Sequence, residues 1–337
     1  MKLGIVGSGM IVEDLLSFIN QIPSIQLIHI SGTQRSEEKV KKLCEKHQFK
    51  RCSTSYDELL NDKEVDTIYI GLPNHLHYEY TKQALLANKN VILEKPFTST
   101  IEEAKELEKL AIENHLFLWE AIINQYVPNF YKIKELLPKL GKIKIVECNF
   151  SQYSSRYNAF KEGNILPAFD YTKSGGALMD LNIYNIHFVV GLFGKPMNIE
   201  YYPNIERNID TSGILILDYG SFKCVCIAAK DCKAPLSNNI QGDEGCIHIE
   251  SPVAIIETFD IFMNDGTKET ITKKKNVHKM YEEFMAFEKM FQEKNYQKCY
   301  EMLKHSLLVT EVQTIARRKA GMLFPADQKW LCVKSGG

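Results

Sequence analysis

Over residues 1–120 short apolar strand patterns alternate with amphipathic helical ones, and this alternation restricts the fold more than any other feature of the chain. Lys2-Leu3-Gly4-Ile5-Val6 reads as a buried strand and runs into Gly7-Ser8-Gly9-Met10-Ile11. Val12, Leu15, Leu16 and Ile19 then fall on one helical face. Further strand patterns cover 26–31, 66–70 and 90–93. Ser55 to Glu58 and Ser99 to Glu102 have the spacing of capping boxes that open helices. Strands separated by helices pair in parallel through right-handed crossovers. The expectation for 1–120 is therefore an α/β Rossmann domain, a doubly wound parallel sheet.

In such sheets ligands bind at the carboxyl edge of the strands. The first strand ends in Gly-x-Gly, where Gly7 permits a tight turn and Gly9 lets the backbone approach a pyrophosphate, with Ser8, Met10 and Ile11 completing the turn. The second strand ends in Ser31-Gly32-Thr33-Gln34-Arg35-Ser36, with no acid before Glu37. An acid there would hold the ribose hydroxyls of NAD. Thr33 and Arg35 instead suit a 2′-phosphate, so the reading favours NADP over NAD. The next strand ends in Gly71-Leu72-Pro73-Asn74, with His75 and His77 following. No carboxylate or thiol is spaced to join them on a metal, and His77 is placed beside a cofactor. Val91-Ile92-Leu93 ends in Glu94-Lys95-Pro96, an acid and a base at the same edge before a proline that permits a cis peptide.

The alternation stops near Trp119-Glu120-Ala121. A helix follows Pro128, and strand patterns then cover 142–151, 198–206, 212–219, 222–229, 245–251 and 257–263, with helices over 278–292 and 296–317. Period-two strands without interleaved helices predict an α+β domain over 121–337 with an open, mostly antiparallel sheet. Helices cover one face; covering the other requires a homodimer or homotetramer. A glycine turn, Gly175-Gly176, opens a helical pattern in which Asp180 and Tyr184 are spaced to share one face, with His187 nearby.

The net charge of −1 gives no long-range attraction for nucleic acid or an acidic membrane surface. The basic stretch Lys268 with Lys273-Lys274-Lys275 reads as a solvated hairpin edge. The 9 cysteines include no Cys-x-x-Cys pair and read as reduced thiols, and no apolar run approaches the ~20 residues of a bilayer span. With no basic-apolar leader before the first strand, the expectation is a soluble cytoplasmic protein.

Together, Gly7-Ser8-Gly9, Leu72-Pro73-Asn74 with His77, Glu94-Lys95-Pro96, Gly175 to Asp180 and Gly321-Met322-Leu323-Phe324-Pro325 resemble, in order and spacing, the glucose–fructose oxidoreductase and inositol dehydrogenase family (Gfo/Idh/MocA). Tyr184, where many members have histidine, and Glu120-Ala121 are similar to the subgroup with dimeric dihydrodiol and xylose dehydrogenases. The chain departs from the family pattern at Val12, Gln125 and Asn182. The resemblance implies an oxidoreductase that moves hydride between nicotinamide and a secondary alcohol or ketone of a sugar, inositol-like or trans-diol substrate. It also implies nicotinamide lying along Pro73, Asn74 and Glu94-Lys95. Tyr184, made more acidic by Lys95, or Lys95 itself would transfer the proton, with Asp180 orienting substrate or lysine. The alternative is a cofactor-sensing regulator of the same fold without catalysis.

Overall fold

Six strands, β1 (Lys2–Val6), β2 (Gln26–Ser31), β3 (Arg51–Ser53), β4 (Thr67–Ile70), β5 (Asn90–Glu94) and β6 (Leu118–Ala121), form one parallel sheet. Their order is β3-β2-β1-β4-β5-β6 in the computed structural model, which describes residues 1–273 and 278–334. The order reverses between β1 and β4, so the turns after these two strands flank the crevice of a doubly wound sheet. The sheet is apolar on both faces, as parallel sheets are. Ile68, Ile70, Val91, Leu93 and Leu118 share a core with Ala84, Leu85, Ala104 and Leu107 of the crossover helices.

Contacts divide the chain into two units, Met1–Ala121 with Asn276–Leu307, and Ile122–Lys275 with Leu308–Gly337. The division at 120/121 expected from sequence therefore needs one correction: the stretch containing the helix Tyr281–Gln292 belongs with the first unit. Aromatic packing explains it, since Phe284 lies 6.0 Å from Tyr69 and Phe287 lies 5.4 Å from Trp119, ring centre to ring centre. The helix covers a sheet face that the first 120 residues leave bare. One expected cap also moves by a residue. Thr100 and Glu103, not Ser99 and Glu102, form the capping box, and the buried Glu103 carboxylate accepts from both Ser99 N and Thr100 N.

The second unit is built on eight strands, β7 (Ile143–Ser151), β8 (Asn198–Glu206), β9 (Ile209–Asp218), β10 (Lys223–Ala229), β11 (Asn238–Gly242), β12 (Gly245–Ile249), β13 (Thr258–Met263) and β14 (Lys268–Thr272). Their order is β14-β13-β12-β11-β7-β10-β9-β8, antiparallel throughout except for the parallel pair β7 and β10. Strands β11 and β14 escape the sequence pattern: Asn238-Asn239-Ile240-Gln241-Gly242 and Lys268-Glu269-Thr270-Ile271-Thr272 each carry a single large apolar residue. Val146, Cys148, Leu215, Leu217, Cys224 and Cys226 face a core shared with Ile183, Ile186, Val190, Val309, Val312 and Ala316 of the covering helices. The opposite face is open, with Tyr202 62%, Ile145 48%, Ile214 43% and Phe262 38% exposed. Lys274 and Lys275 of the basic stretch lie outside the described residues. Among the described residues no single helix is long and apolar enough to cross a membrane.

Candidate active site

In the first unit a cleft of about 420 Å³ opens at the carboxyl edge of the sheet, lined by Gly7, Ser8 and Gly9, by Thr33, Gln34 and Ser36, and by Leu72 and Pro73. Gly7 holds φ at +120°, and a Cβ there would collide with the carbonyl of Gly71. Only glycine lets the turn after β1 pass that close to the turn after β4. A Cβ on Gly9 would meet nothing within 4 Å, so its backbone faces open space in the cleft. Met10 and Ile11 begin the helix Met10–Leu16 just beyond, with Met10 69% exposed.

The far end of the cleft is hydroxylic. Thr33 and Ser36 cap the short turn Gln34–Ser36, and the Gln34 amide donates to Thr54 Oγ1 at 2.7 Å. Arg35 stands exposed in that turn. No carboxylate is among the lining side chains, and Ser31, at the end of β2, is turned inward to donate to Ser55 O at 3.0 Å. This donor set fits a phosphate and lacks the acid that grips a ribose diol. Thr54, Tyr56 and Tyr80 also line the cleft, with the two tyrosine rings 4.6 Å apart. Sequence reasoning misses them because nothing in the stretch around residues 54–56 beyond a helix cap marks it.

His77 is fully buried, with Nδ1 2.8 Å from Pro96 O and Nε2 2.9 Å from Leu72 O. It ties the turn after β4 to the turn after β5. Asn74 opens the intervening turn Asn74–Leu76, and the Lys95–Pro96 peptide is cis. Glu94 is 6% exposed and accepts from the Tyr69 hydroxyl at 2.6 Å. Burial pushes its carboxyl up to about 7, against the pull of the Tyr69 hydroxyl and the Lys95 ammonium. Glu283, from the helix Tyr281–Gln292, is 1% exposed, and neither of its carboxyl oxygens meets a hydrogen-bond partner among the described residues. Burial first, and then Glu94, raise it well above the usual carboxylate range. The strand-end glutamate thus sits against a second buried acid that the sequence gives no reason to place there.

In the second unit Gly176 holds φ at +105°, and a Cβ there would collide with Oδ1 of the buried Asp210. Asp210 Oδ2 accepts from Leu178 N at 2.7 Å and from the Tyr201 hydroxyl at 2.7 Å, which fixes the start of the helical turn Ala177–Asp180. Burial pushes the Asp210 carboxyl up to about 6. The expected single helix face for Asp180 and Tyr184 is not what forms. The helix breaks at Leu181, and the segments 171–180 and Asn182–Phe193 meet at 56°. Asn182 is the physical reason. Its amide donates to Cys226 O at 3.1 Å, and Asn185 donates to Ile227 O at 3.0 Å, so the second helix is hung from β10 and cannot continue the first.

Tyr184 is half-buried, 5.7 Å from the Phe150 ring, and its carbonyl receives the Asn124 amide at 2.8 Å. His187 is buried and its carbonyl is held by Gln125 at 2.9 Å. Asp180 is 32% exposed at its side chain and accepts from Lys230 Nζ at 2.8 Å, a partner 50 residues away that sequence reasoning does not find. Among the described residues no group of three or more His, Cys, Asp or Glu side chains is arranged to hold a metal ion.

Residues 1–122 match the model of an oxidoreductase family with an NAD-binding Rossmann fold, GFO_IDH_MocA. The chain is 30% identical over 329 residues to scyllo-inositol 2-dehydrogenase (NADP(+)) IolU of Bacillus subtilis, covering 97% of this chain and 99% of that protein. It is 28% identical over 264 residues to trans-1,2-dihydrobenzene-1,2-diol dehydrogenase of Sus scrofa, covering 75% of each. Among solved structures it is similar to the 3-ketoreductase KijD10 of Actinomadura kijaniata in complex with NADP and TDP-benzene. The TM-score is 0.82 at 20% identity, over 94% of this chain and 97% of that one.

Proposed function

Because the chain belongs to the Gfo/Idh/MocA family of oxidoreductases, we propose that it transfers hydride between NADP and a secondary alcohol or ketone of an inositol-like, sugar or trans-diol substrate. The observation that carries this reading is the glycine-lined cleft, whose far end presents hydroxyl and amide groups and no acid. NADP, when bound, supplies the nicotinamide that accepts or donates the hydride. The backbone from Gly7 through Ser8 and Gly9 to Met10 and Ile11 holds its pyrophosphate, and Thr33 with Arg35 binds its 2′-phosphate. Leu72, Pro73 and Asn74, braced by His77, form the wall of the nicotinamide end together with Glu94 and Lys95.

The proton is handled by Lys95 and Tyr184. A phenol near its ordinary pKa of about 10 is a poor base at neutral pH, so Tyr184 needs a cation to assist it. Lys95 is that cation or is itself the proton acceptor, and Asp180 orients the hydroxyl that loses the proton. The two assignments separate on substitution. If Tyr184 carries the proton, Tyr184→Phe lowers kcat by roughly 10²–10⁴-fold, the usual range for a general base. If Tyr184→Phe keeps nearly full turnover while Lys95→Met abolishes it, the lysine is the base.

The functional test is fluorescence titration with NADP and NAD, followed by a turnover screen over scyllo-inositol, aldoses and trans-dihydrodiols. The expected result is tighter binding of NADP and turnover of at least one polyol. Tight NADP binding with no turnover across the screen would instead identify a cofactor sensor. The open face of the second sheet supports self-association as a homodimer or homotetramer, and the described cysteines, all free thiols, support a cytoplasmic setting.

A further inference from the structure

Lys230 stands one residue beyond β10 with its side chain 2% exposed. Its ammonium donates to Asp180 Oδ2 at 2.8 Å and to Ala168 O at 2.7 Å, and lies 4.7 Å from the centre of the Phe169 ring. Its backbone is fixed from both sides, the N–H donating to Thr211 O at 2.8 Å and the carbonyl accepting from Ser154 N at 2.8 Å. The other charged groups near it are Asp210 of β9, which feels the Lys230 charge, and the adjacent Asp231, which accepts the hydroxyls of Thr211 and Ser212. Tyr201 is bound to Asp210, and Tyr157 and Cys232 feel the charge of Asp231.

A buried ammonium is a costly way to stabilise a fold, and well-packed apolar residues in such places often do as well or better. This one is placed where stability alone gives little reason for a charge. It joins the segment 153–170, through Ser154, Ala168 and Phe169, to the partly exposed carboxylate of Asp180. Asp180 ends a four-residue helical turn, and a buried cation at 2.8 Å is a strong, directional partner for its carboxylate.

We infer that Lys230 is a positioning residue for the reaction, holding Asp180 as an oriented carboxylate and tying the 153–170 segment to it. This rests on the assignment of Asp180 to the site under Proposed function. It adds that a buried lysine, 50 residues away in the chain, takes part in presenting that carboxylate.

The test uses the full chain with NADP and scyllo-inositol, or a trans-dihydrodiol if scyllo-inositol is not turned over. Lys230→Met is expected to lower kcat at least ~10-fold and raise KM, with NADP affinity unchanged within about twofold. The acid limb of the pH profile should move up by about one pH unit or more, because loss of a neighbouring cation makes a carboxylate easier to protonate. Lys230→Arg keeps the charge and should leave the acid limb in place with an intermediate kcat. In the Asp180→Asn background, Lys230→Met should add less than about twofold, since both changes act through one group.

A Lys230→Met protein with lowered Tm but wild-type kcat and pH profile would overturn the inference and leave a structural lysine. If Lys230→Met does not fold, Lys230→Gln decides, and a wild-type kcat and pH profile in that variant overturns it equally. Full turnover in Asp180→Asn alone would instead remove the Asp180 assignment. Impaired Asp180→Asn beside an unimpaired Lys230→Met would remove only the role of the lysine.

Discussion

At Glu94 a carboxyl group 6% exposed is held to about 7 by burial, with Tyr69 donating to it and Glu283 close behind. A carboxyl whose folded pKa lies above its unfolded value binds more protons when folded. Its share of stability is therefore whole below the unfolded pKa, about 4.3, and is lost as pH rises through 7. At about 1.4 kcal/mol per pKa unit, a rise from about 4.3 to about 7 makes that share at most roughly 4 kcal/mol. Urea unfolding of the cofactor-free protein should accordingly show stability falling between pH 5 and 8, and Glu94→Gln should flatten that slope by up to one proton. Equal slopes in the two proteins would remove the argument. That Glu94 ends a buried strand is legible in Val91-Ile92-Leu93-Glu94, and so is its neighbour Lys95. Neither Glu283 nor Lys230 is legible, because each meets its partner through a contact that spans many residues of intervening chain and has no local pattern.

Short elements here take their shape from single residues. Gly176 turns the chain at φ +105° against Asp210, which in turn caps the helical turn carrying Asp180. Gly176→Ala forces an L-residue into that conformation, a strain of roughly 1–3 kcal/mol before the collision with Asp210 is counted. Its urea midpoint should fall clearly, while Gly163→Ala, at φ +91° with open space around it, should lose less. Similar losses at both sites would show that backbone strain alone matters and that the contact with Asp210 does not. The glycine pair is visible in the sequence as a turn before a helix, and the strand patterns 142–151, 198–206 and 222–229 locate β7, β8 and β10 well. The helix break at Leu181 is not visible, since Asp180, Tyr184 and His187 keep a helical spacing that the hydrogen bonds of Asn182 and Asn185 override. Strand β3 is hidden for another reason: Arg51-Cys52-Ser53 is a half-exposed edge strand that needs no apolar alternation.

At the scale of the molecule the succession of a parallel and a mostly antiparallel sheet can be read from the sequence, because periodicity changes where the architecture changes. The return of the helix Tyr281–Gln292 to the first unit cannot, because its amphipathic pattern names a buried face without naming what buries it. The open face of the second sheet sets a band of side chains in register across three strands, with Tyr202 beside Ile214 and Ile214 beside Ile227. A charge in that band should oppose self-association, so Ile214→Lys is expected to shift the protein toward monomer in analytical ultracentrifugation. A wild-type protein that is already monomeric at micromolar concentration would refute the assignment of that face. Strand β10 gives the band a second meaning. Its outward residues Val225 and Ile227 belong to the open face, while its carbonyls at Cys226 and Ile227 suspend the Tyr184 helix and its end leads into Lys230 and so to Asp180. The strand is a common datum from which both polar groups are measured. If a second copy covers that face as proposed, a subunit stripped of it should keep its grip on the nucleotide and lose speed, as an instrument with a loosened reference still reads but no longer repeats.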